Sequence, residues 1–181
     1  MIVVGVGWGE RRGRSVGEND GAGIESAQDA ANDELVLAFG RLQGAAGRLE
    51  YLLGGAIEEE FGISHLMYEV LLIVGRAGGA GMSMRAIAQE RVLTTGGMTR
   101  LVDRMEAAGL VTRTDDPTDR RGKLVRLTAH GRDVVVRASR LHVQNIRRHF
   151  LAPLPEEARE QFMECLRILS HSARDALPRL R

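Results

Sequence analysis

From Glu34 onward, apolar side chains return at steps of four and three: Leu35, Phe39, Leu42, Ala46, Leu49, Leu53 and Ala56. That spacing predicts a long amphipathic helix with a coiled-coil-like seam, ending near Phe61-Gly62. Ser64 is placed to cap a second helix, whose Met67, Val70, Leu71 and Val74 make one stripe before Gly78-Gly79 stops it. The run GMSM predicts a short extended piece, and Ser83 caps a short helix around Met84–Glu90. Thr94 or Thr95 can cap the next, with Met98, Leu101, Val102 and Met105 on one face and Gly109 past its end. Residues 110–114 and 123–128 alternate apolar and polar side chains around a turn holding Pro117, the pattern of a β-hairpin. Near Gly131 a last long pair of helices begins, carrying Val134, Ala138, Leu141, Ile146 and Phe150 on the first. Pro153 and Pro155 break it, and Pro155 with Glu156 and Glu157 suits a new first turn. Phe162, Leu166, Leu169, Ala173 and Leu177 form the final stripe. Residues 1–32, dotted with glycine and without period, read as a flexible extension.

Composition changes this picture little, and charge changes it more. With 44% apolar and 27% charged residues in 181, the chain has the make-up of an ordinary globular protein of one domain with extensions. Its single cysteine excludes an intrachain disulfide and fits a reducing compartment. Cys165 lies among Phe162, Met163 and Leu166, which predicts a buried, inert thiol. The opening MIVVGVGWGERR is short, glycine-broken and followed by charge, unlike a signal peptide. No run reaches the roughly 18 apolar residues of a membrane span, so a cytoplasmic protein is expected, with no membrane partner. The net charge of +1 hides an asymmetry. Residues 1–62 carry five basic and eleven acidic side chains, residues 82–132 ten and six, and residues 133–181 nine and six. A polyanion would meet the middle of the chain.

A short helix, a tight turn, a second helix and a hairpin make a winged helix-turn-helix. Such a second helix is slim enough for the major groove, with its N-terminal residues against base edges. Here that end reads TTGGMTRLVDR. Thr94, Thr95 and Thr99 offer hydroxyls, and Gly96 and Gly97 let the backbone approach closely. Arg100 and Arg104 are spaced to share one exposed face. The hairpin turn DPTDRRGKLVRLT crowds Arg120, Arg121, Lys123 and Arg126 into a short stretch. A basic turn beside a recognition helix can reach the minor groove, with Arg121 as the inserted tip and Asp119 holding it. Arg120 and Lys123 would contact phosphates.

The run TRLVDRMEAAGLVTRTDDPTDRRGKLVRLTAHG resembles the core signature of the MarR family of bacterial transcriptional regulators. The shared parts are T-R-L-V-D-R-hydrophobic-E, G-L-V, D-P-x-D-R-R and a closing L-T-x-x-G, and the helix order over residues 34–177 matches as well. The resemblance implies a mainly α fold with a small β-hairpin wing. Beyond the extension over 1–32, it implies a dimerisation helix over 33–62, a DNA-binding domain over 63–130 and C-terminal dimerisation helices over 131–181. It further implies a homodimer on a pseudo-palindromic double-stranded operator, released by a small phenolic or anionic effector. The effector would lie between the dimerisation helices and the winged domain, near His65, Tyr68, Glu69 and Arg113. One branch of the family responds to urate and carries an extension with a tryptophan, an acid on the second helix and arginines near the wing. Trp8, Glu69 and Arg113 resemble that set, but the branch favours Asp where Glu69 stands and a basic residue where Leu101 stands.

Other chemistry finds little footing. No phosphate loop follows a strand, and no nucleophile–base pair is spaced for an enzyme. His142 and His149 are seven apart, and His130 and His171 stand alone, so neither a metal nor a cofactor is expected. The competing reading is a winged protein-interaction module without DNA binding.

Overall fold

The computed structural model describes residues 21, 23–91, 95–117, 119 and 122–176, with residues 91, 95 and 96 given by their backbone alone. It divides into two units, Met1–Arg48 and Leu49–Arg181. In the first, Ala27–Asn32 forms a short helix, α1, inside the segment whose composition predicts an extension. The cause is local: the Ser26 hydroxyl accepts from Asp29 N at 3.1 Å, and Asp29 places a carboxylate in the first turn. Asp33 then starts the long helix α2 (Glu34–Phe61), its Oδ1 accepting from the amides of Leu35 and Val36, both at 3.0 Å. Leu35, Val36, Leu37, Phe39 and Leu42 on this helix are exposed.

In the second unit, the end of α2 buries Leu53 and Ile57. Ser64 caps α3 (His65–Arg76), as its position predicts, accepting from Met67 N at 3.3 Å. Strand β1 (Met82–Ser83) leads into α4 (Met84–Arg91), where the Ser83 hydroxyl accepts from Ala86 N. Next come α5 (Thr95–Ala107), β2 (Val111–Asp115) and β3 (Lys123–Leu127). Thr128 caps α6 (Ala129–Ile146), which passes through a π turn at Arg147–Leu151. A single turn over Glu156–Ala158 opens α7 (Arg159–Ala176). Strand order is β1-β3-β2, all antiparallel, so the extended GMSM piece is the edge strand that completes a sheet of three. Val111 faces Leu127 and Asp115 faces Lys123 in the hairpin, while Met82 pairs with Val125.

One core joins these elements. Val70, Leu71 and Val74 of α3, Ile87 of α4, Met98 and Val102 of α5, and Val125 of β3 are wholly buried. Val134, Val135 and Ala138 extend that cluster onto α6. Each such side chain contributes about 1.5–3 kcal/mol by leaving water, so this stripe orients α5 more firmly than any polar contact on it. The helix ends as its sequence predicts: Gly109 sits at φ +68°, Gly109 N donates to Glu106 O and Leu110 N to Met105 O, both at 2.9 Å.

Helix α7 buries no residue, although Phe162 meets Phe150 with ring centroids 5.7 Å apart. Cys165 is therefore exposed in the single chain and not buried as expected, because nothing in the described chain covers its side of the stripe. No described helix is long and apolar enough to cross a membrane.

Candidate nucleic-acid interface

The burial of Met98, Leu101, Val102 and Met105 on one side of α5 leaves its other side outward. Gly97, Thr99, Arg100, Asp103 and Arg104 are all exposed there. Thr95 and Gly96 belong to the first turn of the same helix, and Thr94 lies outside the described residues. An exposed face with a hydroxyl and the Arg100 guanidinium in its N-terminal half, and Arg104 in its last turn, can donate to phosphates and base edges. Leu101, by contrast, is part of the core, so it puts no cation at that position of the urate set.

The hairpin follows directly from the Gly109 cap. Its turn closes with Asp116 N donating to Gly122 O at 3.1 Å and Gly122 N to Asp119 O at 2.9 Å. Asp119 is exposed in that turn, whereas Arg120 and Arg121 lie outside the described residues. Lys123 pairs with Asp115 across the mouth of the hairpin, both largely in solvent. An exposed pair of this kind is worth at most about 1 kcal/mol and yields readily to a phosphate.

Arg113 departs from its expected role. Its Nη1 donates to Glu106 Oε2 at 2.8 Å, its Nη2 to Asp103 Oδ1 at 2.6 Å, and its backbone N to Glu106 Oε1 at 3.0 Å. β2 turns Val111 and Arg113 toward α5, so the guanidinium meets two carboxylates one helical turn apart. Those carboxylates could have held Arg104; instead they hold Arg113. The partnership was open to sequence reasoning, since the tight cap at Gly109 folds the strand back along the helix it has just left.

His65, Tyr68 and Glu69 gather at the start of α3. Tyr68 is buried and its hydroxyl bonds Ser139 Oγ at 3.0 Å. The His142 ring, also on α6, lies 5.5 Å from that of His65 and 5.1 Å from that of Tyr68. Burial first, and the neighbouring His65 second, push the His142 imidazole below its ordinary range. Nδ1 of both His65 and His142 is buried without a hydrogen-bond partner. His142 and Ser139 were not legible as members of this cluster, because nothing local in α6 says which of its faces meets Tyr68. Among the described residues, a cleft of about 580 Å³ lies beside α7 and another of about 340 Å³ between Phe61, Leu110 and Val134. Neither is lined by His65, Tyr68 or Glu69. Among the described residues no group of three or more His, Cys, Asp or Glu is placed to hold a metal ion.

Comparison with known proteins agrees with this geometry. The profile of the MarR family matches residues 61–122, from the end of α2 to the hairpin turn. The HTH-type transcriptional regulator PapX of Escherichia coli is 38% identical over 71 residues, 39% of this chain and 43% of PapX. The chain thus spans less than half the length of that relative. AbsC, a MarR family transcriptional regulator from Streptomyces coelicolor, superposes with a TM-score of 0.68 at 27% identity, over 77% of this chain and 93% of AbsC. Sco3205 from the same organism, a MarR family regulator solved in complex with DNA, also gives 0.68 at 27% identity, over 75% of this chain and 85% of its own. Residues 61–122 thus match the MarR family, and the fold is like that of MarR family winged helix-turn-helix regulators.

Proposed function

We propose that the protein is a DNA-binding transcriptional regulator, not an enzyme, which acts as a homodimer on a pseudo-palindromic operator. The observation that carries this reading is the division of α5, with Met98, Leu101, Val102 and Met105 in the core and Thr99, Arg100 and Arg104 outward beside a basic hairpin. In that reading Thr94, Thr95, Gly96, Gly97 and Thr99 approach base edges, and Arg100 and Arg104 reach bases or phosphates. Arg120 and Lys123 hold the backbone, and Arg121, steadied by Asp119, enters the minor groove. The DNA-bound state of Sco3205 supports it by likeness of fold.

The regulator acts as a repressor, released by a small phenolic or anionic effector. We place the effector at His65, Tyr68 and Glu69, joined by His142 and Ser139 from α6. Arg113 drops out of that set because Glu106 and Asp103 already engage it. The His142 Nδ1, buried without a hydrogen-bond partner, the neighbouring His65 ring and the Tyr68 hydroxyl supply the polar groups such a ligand needs.

A gel-shift series in rising salt tests the reading, with DNA from upstream of the gene and Arg100→Ala and Arg121→Ala beside the wild type. Specific binding should fall steeply with salt, and each variant should lose about tenfold or more in affinity. If neither salt nor substitution matters, the bound surface is not this one. If no specific binding is found at all, the interaction-module reading takes its place.

A further inference from the structure

We propose that Arg113 is a positioning residue that locks the recognition helix α5 to the wing, so that both meet DNA as one rigid unit. The inference rests on the DNA-binding reading above and names a device within it. Between Ala107 and Val111 the chain reverses through the Gly109 cap, and Val111 and Val125 in the core with β1 on β3 hold the base of the hairpin, which leaves the tilt of its outer half against α5 to be fixed. Arg113 fixes that tilt. It grips α5 at Asp103 and at Glu106, and Glu106 accepts from both the guanidinium and the backbone amide of Arg113. A planar fork held by two carboxylates on one helix face resists both sliding and rotation, which a single ammonium contact would not. The arginine side chain is only 24% exposed, so this bridge is shielded better than the Lys123–Asp115 pair further out on the hairpin.

The bridge also sets charge. Asp103 and Glu106 flank Arg104, and Asp103 follows Arg100 by three residues. Left without Arg113, two carboxylates would stand beside the guanidinium groups that face the DNA. Arg113 thus spends its own charge on the protein so that its neighbours can spend theirs on phosphates.

A double-mutant cycle read through salt dependence tests the coupling, using the full-length protein and its operator. In the wild type, Lys123→Ala should weaken binding severalfold and make the plot of log K against log salt shallower by about one unit, the loss of one phosphate contact. In an Arg113→Ala background the outer hairpin is no longer fixed against α5, so adding Lys123→Ala should change neither affinity by more than about twofold nor the slope. Arg113→Lys, which keeps the charge but loses the fork, should behave like Arg113→Ala. It also serves as the reference if the alanine variant melts near the assay temperature. Full additivity of Lys123→Ala in the Arg113 backgrounds overturns the proposal while leaving the regulator reading intact. So does a wild-type slope that Lys123→Ala does not move, for then the wing brings no contact to couple. A wild type that binds no DNA specifically overturns both.

Discussion

Thr128 and Gly131 show how much a single position can carry. The Thr128 hydroxyl donates to the Gly109 carbonyl at 2.6 Å and accepts from Gly131 N at 2.9 Å, tying the end of α5 to the start of α6. A Cβ at Gly131 would lie 1.9 Å from the carbonyl oxygen of Leu110, a backbone atom that cannot swing aside. Gly131→Ala should therefore cost about 3 kcal/mol, the upper range for overpacking. Gly109→Ala meets open space and suffers only from its positive φ, about 1–2 kcal/mol. Urea unfolding of both variants checks the order, and equal losses would refute the packing argument. His142 gives a second test at this scale. Its folded-state pKa lies below the ordinary 6.5, so between the two values the unfolded chain binds more protons. Stability from this source is complete above about pH 6.5 and is lost as pH falls below it. Unfolding midpoints at pH 7.5 and 5.5 should differ less in His142→Gln than in wild type. An unchanged difference would mean that another group titrates.

At the scale of elements, helices and hairpin were legible because their causes are local. Caps at Ser64, Ser83 and Thr128 and the glycine at 109 act within four residues of themselves, and the apolar periods name a buried face directly. The stripe on α5 turned out wholly inward, and the strand edge at Met82–Ser83 paired as an extended segment should. What the periods could not say is which partner covers a stripe. Those of α7 and the first part of α2 are as regular as the others, yet Leu169 and Phe39 remain in solvent in the single chain. The helix over Ala27–Asn32 was missed for a different reason: a glycine-rich neighbourhood masked one capping serine.

Those exposed stripes set the expectation for the whole molecule. Leu35, Val36, Phe39 and Leu42 on α2, with Met163, Ile168 and Leu169 on α7, present more apolar surface than a monomer commonly leaves in water. A second copy, carrying the same faces, is the simplest cover. Sedimentation should show a dimer for the wild type and a shift toward monomer for Phe39→Asp and Leu169→Asp. The monomeric variants should also lose operator affinity, since two half-sites are no longer bound together. A wild type that sediments as a monomer would sink this reading. The acidic N-terminal part and the basic middle would orient such a dimer toward DNA before contact.

Taken alone, the sequence determined the kind and order of the main elements, the inward faces of α3 and α5 and the excess of basic residues over 82–132. Short-range hydrogen bonds and side-chain periodicity are enough for that, because both act within one or two turns of chain. Only the tertiary structure decided that His142 and Ser139 join Tyr68 and that Gly131 lies against Leu110. Each of these pairings joins residues some twenty or more positions apart. Their distances depend on how helices cross and strands register, which no local pattern specifies.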